Sequence, residues 1–323
     1  VGEPGDALAA QARDGGHRID VHKDTAALLE KEREQSQESP GPALFCCVAI
    51  GDKDRRDAMQ QELETASELA AEAGRLVLRY YEQPSEVEWK HAGHPVTQAD
   101  RAASEFLVKE LKSRFPDDAV VSEEEIGDQS RLSKPRVWMI DPIDGTREFI
   151  EHIGEYSVMI GLALDGVAAV GVIYQPVADK LYCAATGVGA LLTERGTTTA
   201  LRVSEEADPR RMVIAVSRSH PSAAVESVRG RLGITESVCM GSLGLKVGLV
   251  CERLADLYLD MSGRTSQWDT CAAAVLIEEA GGRMTDLKGR PLRYNTPDLR
   301  HRDGVIASNG AIHDRIVEAA GHV

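Results

Sequence analysis

Val137 to Ile140 is an apolar run of strand length, and it breaks at Asp141-Pro142-Ile143-Asp144-Gly145-Thr146. A strand that meets a carboxylate, a proline, a second carboxylate and Gly-Thr reads as feeding a tight turn that opens a helix. Asp141 and Asp144 then project from the strand's carboxyl end, with the Gly145 and Thr146 amides at a helix N-terminus. Carboxylates hold hard divalent cations, and free amides hold phosphate oxygens. Standing alone, the stretch also suits a capped turn with two solvated aspartates.

The chain has 323 residues, enough for two domains that share an interface, and 42% hydrophobic residues, enough for a sizeable core. A formal net charge of −15 argues against nucleic acid or an anionic membrane as the main partner. An anionic small ligand remains compatible, because metal ions in a carboxylate cluster reverse the local field. The cysteines Cys46, Cys47, Cys183, Cys239, Cys251 and Cys271 contain no C-x-x-C pair and read as buried free thiols of a reducing compartment. No apolar run approaches the roughly 18 residues of a membrane span. With no signal-peptide pattern at the N-terminus, the expected location is cytoplasmic.

Residues 1–58 are polar and Gly/Pro-punctuated, and are expected to form a disordered or loosely docked extension. Leu63, Ala66, Leu69, Ala73, Leu76 and Tyr80 keep a helical period from Ala58 to Tyr81. A loop over Trp89 to Asp100 precedes a second helix, Ala102 to Arg114, with Asp100 as its possible N-cap. Ala119 to Ser122 reads as a strand ending at Glu123-Glu124-Glu125. Tyr156 to Leu164, Val167 to Tyr174 and Lys180 to Ala185 read as an antiparallel meander that Ala190 to Thr193 continues. Beyond about residue 205 the elements alternate: strands over Met212 to Ser217, Ala255 to Leu259 and Gly304 to Ala307. The helices among them run over Ser222 to Leu232, Leu243 to Glu252, Trp268 to Ala280 and Ile312 to Ala320. The fold class is therefore α+β followed by α/β, with an α+β domain over 59–205 and an α/β domain over 206–323.

Further motifs stand away from the central turn: Pro95-Val96-Thr97-Gln98-Ala99-Asp100, Val121-Ser122-Glu123, Trp268-Asp269-Thr270-Cys271-Ala272-Ala273 and Glu279-Ala280-Gly281-Gly282. This ordered set resembles the inositol monophosphatase superfamily of Mg2+-dependent, lithium-sensitive phosphatases. Asp144-Gly145-Thr146-Arg147-Glu148-Phe149-Ile150 followed by Gly154-Glu155-Tyr156-Ser157-Val158 looks most like its 3'(2'),5'-bisphosphate nucleotidases of the CysQ type. The resemblance runs from about Met59 to the C-terminus. It implies a layered αβαβα sandwich of the inositol monophosphatase and fructose-1,6-bisphosphatase type.

The resemblance also implies roles. One Mg2+ would sit on Glu123, Asp141 and the Ile143 carbonyl, with Glu124 a second choice for Glu123. Another would sit on Asp141, Asp144 and Asp269, and a third, weaker one on Glu123. Thr146 with Asp100, or with Glu123, would orient and deprotonate the attacking water, while the Gly145 and Thr146 amides grip the scissile phosphate. Ser217, Arg218 and His220, together with Ser242 and Lys246, resemble segments that hold the nucleoside 5'-phosphate and base, and Arg264 is a further phosphate candidate. A strand-end loop and a capped helix with an exposed lysine are the plain alternatives for those two segments. Asp260 is similar instead to the acid that binds inositol hydroxyls.

The activity so implied is removal of the 3'-phosphate of 3'-phosphoadenosine 5'-phosphate, with 3'-phosphoadenylyl sulfate a further substrate candidate. The alternative is the same chemistry on an inositol or sugar phosphate. A non-catalytic ligand-binding descendant would be expected to have lost at least one of Glu123, Asp141, Asp144, Thr146 and Asp269, and all are present. The expected assembly is a monomer or a homodimer.

Overall fold

The computed structural model describes residues 52–82, 87–89 and 95–322. Residues 1–51, most of the expected extension, lie outside the described residues together with Cys46 and Cys47. Helix α1 (Asp52–Tyr81) begins ahead of the expected Ala58. Its Leu63, Ala66, Leu69, Ala73 and Val77 are buried at the helical spacing. Where a loop was expected, strands β1 (Val87–Trp89) and β2 (Pro95–Thr97) pair antiparallel. Helix α2 (Gln98–Arg114) follows at once because Thr97, not Asp100, is its N-cap. Asp100 is the third residue of the helix and closes a reciprocal capping box with Thr97.

Seven strands form the first sheet in chain order: β3 (Ala119–Ser122), β4 (Arg136–Asp144), β5 (Ser157–Leu164), β6 (Val167–Gln175), β7 (Lys180–Ala185), β8 (Gly189–Glu194) and β9 (Thr197–Ala200). β3 runs parallel to β4, and the remaining neighbours are antiparallel. The period of two along β4 sends Trp138 and Ile140 to one apolar core and Val137 and Met139 to another. Such double-sided burial explains why this strand reads as a continuous apolar run.

The second sheet has the order β11-β10-β12-β14-β13, built from β10 (Val213–Ser217), β11 (Glu236–Met240), β12 (Leu257–Asp260), β13 (Arg283–Thr285) and β14 (Val305–Ser308). β10 is parallel to both of its neighbours. Helices α1 and α2 cover one face of the first sheet. Short helix α3 (Thr146–Ile150) follows β4. Helices α5 (Leu243–Cys251) and α6 (Gln267–Glu279) fill the space between the sheets. Helices α4 (Ala223–Leu232) and α7 (His313–Ala320) cover the outer face of the second sheet. The result is an αβαβα sandwich.

Close approach of α6 to the first sheet depends on absent side chains. A Cβ at Gly161 would stand 2.7 Å from Cys271 Sγ, and one at Gly171 would stand 2.8 Å from Ala272 Cα.

The central strand does not stop at Asp141. It continues to Asp144, with the register to β5 shifting between Asp141 and Asp144 before pairing resumes at Asp144 and Ser157. Pro142 has no amide to give to a ladder, and a bulge is where a sheet tolerates one. Asp141 thereby precedes an irregularity within the strand, and Asp144 stands at the strand's carboxyl end.

A buried histidine ties α7 to the second sheet. Thr285 Oγ1 donates to the Asp286 carbonyl at 2.8 Å, so at 2.8 Å it accepts from His313 Nε2. Ser308 Oγ then meets Nδ1 at 2.7 Å. Burial, reinforced by Arg283, pushes this imidazole down to about 4. Between that value and the unfolded value near 6.5 the unfolded chain binds more protons. His313 therefore contributes stability that is complete above about pH 6.5 and is lost as pH falls toward 4. Urea unfolding at pH 7 and pH 5 should differ by on the order of 2 kcal/mol more in the wild type than in His313→Gln. Equal losses in the two proteins would remove His313 from the acid response.

Candidate active site

Four of the predicted acids come within electrostatic reach of one another where β4 bulges. Asp141 is 3% exposed, and its Oδ1 accepts from the Ile143 amide at 3.1 Å. Burial raises its carboxyl well above the usual carboxylate range, and Glu123, Asp144, Asp269 and Asp100 push it further. Glu123 arrives beside it because β3 and β4 are parallel, with Ser122 opposite Ile140 and the Glu123 amide on the Ile140 carbonyl at 3.1 Å. Burial also raises Asp269 well above its ordinary value, with Glu123 and Asp144 adding to it. Asp144 is raised by burial and by Glu148, while Lys246, Ser242 and Gly244 pull it back.

Asp141, Asp144, Asp269 and Asp100 are each turned toward a backbone or hydroxyl donor. Asp144 Oδ2 accepts from the Ser242 hydroxyl and, at 2.9 Å, from the Gly244 amide at the start of α5. Asp269, third residue of α6, accepts from the Ser266 amide at 2.8 Å. Asp100 is 2% exposed, with Oδ2 on the Thr97 amide (2.7 Å) and hydroxyl (2.6 Å). Its Oδ1 faces the Thr146 hydroxyl at 3.4 Å, which also stands 3.0 Å from the Ile143 carbonyl. In this arrangement no three His, Cys, Asp or Glu side chains among the described residues close together around a common point. The acids sense one another through space while their oxygens point to separate donors.

The donor chemistry suits a hard divalent cation. Every candidate ligand is oxygen, and the four acidic neighbours of Asp141 all raise it. Gly145, with φ 93°, makes the turn into α3, and a Cβ there would stand 2.9 Å from the Glu155 carbonyl. This close approach sets the Thr146 end of the turn against the segment leading to β5.

The second group of predicted residues lies at the carboxyl ends of β10 and β11. Ser217 Oγ accepts from the His220 amide at 3.2 Å, closing the loop after β10. Arg218 forms a two-point ion pair with Glu155, Nε to Oε2 at 2.7 Å and Nη2 to Oε1. Lys246 is not an exposed lysine one turn into a helix. It is 2% exposed, and its Nζ donates to the Gly241 carbonyl at 2.6 Å beneath the loop. Ser242 likewise faces inward, 3.0 Å from Ser157 Oγ, and caps α5 at the Leu245 amide. Arg264 is exposed, in the loop between β12 and α6. Asp260 is held within that loop by Ser262 at 3.0 Å and by Thr265. Cys239, expected to be buried, is exposed on β11; Cys183, Cys251 and Cys271 are buried free thiols.

Three residues of the site escaped sequence reasoning. Thr97 was legible as the T-x-x-D of a capping box. Glu148, whose carboxylate takes the Ser219 hydroxyl, and Glu155 stand in the motifs that carry the resemblance, but their roles were not readable because their partners are far along the chain.

An αβαβα sandwich whose strand ends gather oxygen donors and helix N-termini has the parts of a phosphate-ester hydrolase. Residues 58–323 match the inositol monophosphatase family, and the chain belongs to that family and is a phosphatase. It is 36% identical to the 3'(2'),5'-bisphosphate nucleotidase CysQ of Escherichia coli (strain K12), over 72% of this chain and 93% of that protein. It is 32% identical to a histidinol-phosphatase of Chlorobaculum parvum, over 82% of this chain and 98% of that one. The crystal structure of CysQ from Bacteroides thetaiotaomicron superposes with a TM-score of 0.67 at 31% identity, covering 77% of this chain and 98% of that chain. No helix among the described residues is long and apolar enough to cross a membrane.

Ser242 links the acid cluster to the helix layer, so its loss should be felt in stability. Ser242→Ala removes the α5 cap and one donor to Asp144, and should lower unfolding free energy by about 1–2 kcal/mol. An unchanged denaturation midpoint would mean that the hydroxyl supports neither.

Proposed function

We propose that the enzyme hydrolyses the 3'-phosphate of 3'-phosphoadenosine 5'-phosphate, giving AMP and phosphate, with Mg2+ as its cofactor. The observation that carries the reading is the acid cluster at the β4 bulge, where buried Asp141 has four acidic neighbours that all raise it. Two or three Mg2+ held by Glu123, Asp141, the Ile143 carbonyl, Asp144 and Asp269 would neutralise phosphoryl oxygens and make water acidic. On this reading residues 59–205 form the metal-binding domain and 206–323 the substrate-binding domain, with the loops after β10 and β11 meeting the nucleotide.

The remaining chemistry falls to the chain's own groups. Thr146 Oγ1 would accept the proton of the attacking water while its own proton passes to Asp100 Oδ1, which the Thr97 capping box holds ready. The Gly145 and Thr146 amides would orient the scissile phosphate. Asp260, the residue that would favour an inositol, already has its carboxylate engaged by Ser262 and Thr265. That engagement, with the likeness to two CysQ proteins, supports the nucleotide over inositol or sugar phosphates.

The test is phosphate release from matched concentrations of 3'-phosphoadenosine 5'-phosphate, inositol 1-phosphate, fructose 1,6-bisphosphate and histidinol phosphate, with Mg2+, with EDTA and with added Li+. The expected result is Mg2+-dependent release, inhibited by Li+, with the nucleotide strongly preferred. Preference for another ester would overturn the substrate and keep the chemistry. Asp144→Asn should retain the far-ultraviolet circular dichroism of the wild type and lose Mg2+ affinity in calorimetry, with turnover down by about two orders of magnitude or more. Near-normal Mg2+ binding would remove Asp144 from the metal site.

A further inference from the structure

One carboxylate joins the central turn to both substrate-side loops. Glu155 lies between α3 and β5, and its Oε2 accepts from Arg218 Nε at 2.7 Å and from the Gly241 amide at 2.8 Å. Its Oε1 takes Arg218 Nη2. Its backbone carbonyl accepts from the Ser242 amide at 3.1 Å and is the atom against which Gly145 packs. The Arg218 amide reaches the Met240 carbonyl at 3.2 Å, and Nη2 also approaches the Cys239 carbonyl at 3.4 Å. The loops after β10 and β11 are thus stitched to each other and, through Glu155, to the turn that carries Thr146.

The fork leaves Arg218 committed on one edge. Nε and Nη2 are used, while Nη1 has no hydrogen-bond partner among the described residues. The Arg218 side chain is 37% exposed and that of Glu155 17% exposed, so the carboxylate forms the floor and the guanidinium the open side. Arg147 approaches the same place, with Nη1 3.5 Å from the Ser219 carbonyl. The location is the carboxyl end of parallel strands, where open α/β sheets bind ligands. A long cationic side chain held in one rotamer loses less entropy on meeting an anion than a free one, and a guanidinium has a rigid donor geometry to present.

We propose that Glu155 is a positioning residue that fixes Arg218 so that its open edge meets the second phosphate of the substrate, the one that is not cleaved. Glu155 touches no reacting atom in this scheme. It sets the preference for a bisphosphate over a monophosphate, and the proposal rests on the bisphosphate nucleotide reading above.

The experiment compares 3'-phosphoadenosine 5'-phosphate with adenosine 3'-monophosphate, which keeps the base and the scissile ester and lacks the second phosphate. Glu155→Gln retains an acceptor for the Gly241 amide and removes the charge that clamps Arg218. It should raise KM for the bisphosphate about tenfold more than KM for the monophosphate, with kcat for the two substrates changing in parallel. Arg218→Lys, which keeps charge and loses the fork, should show the same selective rise and carries the test if Glu155→Gln folds poorly. The double variant Glu155→Gln/Arg218→Ala should discriminate no worse than Arg218→Ala alone, since the first residue acts through the second. Equal KM changes for both substrates, or additive losses in the double variant, would overturn the role of Glu155 while leaving the nucleotidase reading intact. A wild type that turns over adenosine 3'-monophosphate as well as the bisphosphate overturns this inference. One that turns over neither overturns the nucleotidase reading with it.

Discussion

The constraint on which the structure turns is negative charge that cannot reach water. Asp141 is 3% exposed and feels Glu123, Asp144, Asp269 and Asp100, with Lys246 acting on Asp144. A buried charge of this kind costs folding free energy unless dipoles, hydrogen bonds or a counter-ion answer it. The fold answers with helix N-termini. Asp100 sits in the first turn of α2, Asp269 in the first turn of α6, and Asp144 on the Gly244 amide that opens α5. Three helices from two different layers aim their positive ends at one place, each holding one acid. The αβαβα stacking is what makes that convergence possible, because α2 lies on one side of the first sheet and α5 and α6 on the other.

Much of this was legible in the sequence wherever the signal was local. The strand at 119–122 and the strand at 180–185 fall where alternation and turn residues put them. The helices of the second half shift by only a residue or so at their ends. Strands β9 and β11 were missed for a physical reason: both are edge strands with largely exposed side chains, so neither leaves an apolar run. The end of β4 was misread for the opposite reason. Proline signals the end of a ladder, and only the pairing partner reveals that a bulge carries the strand past it.

The acids of the site were likewise readable, since each stands in a motif that a short window contains. Their environment was not. Lys246 reads as a nucleotide contact or else an exposed lysine of a capped helix, yet it is buried and its Nζ ends on backbone carbonyls. Glu155 stood in a motif without an assigned role, and its partners are Arg218 and Gly241, 63 and 86 positions away. Local chemistry predicts which groups are present, whereas charge compensation is settled by what the tertiary fold brings alongside.

The same compensation ties metal binding to loop order on the proposed reading. Asp144 gives the same oxygen to the Ser242 hydroxyl and the Gly244 amide, and a cation drawn to that carboxylate competes for its electron density. Ser242 also donates the order of the loop, since its amide rests on Glu155 and its hydroxyl caps α5. Linkage requires that whatever strengthens the hold of the acids on a cation also alters the hold of the loop on Asp144, by the same free energy. Lys246 holds the same loop from beneath, its Nζ on the Gly241 carbonyl. The residues that make the acids tolerable without a cation are therefore the residues through which a cation would be felt at the nucleotide side, with Glu155 as the joint between them.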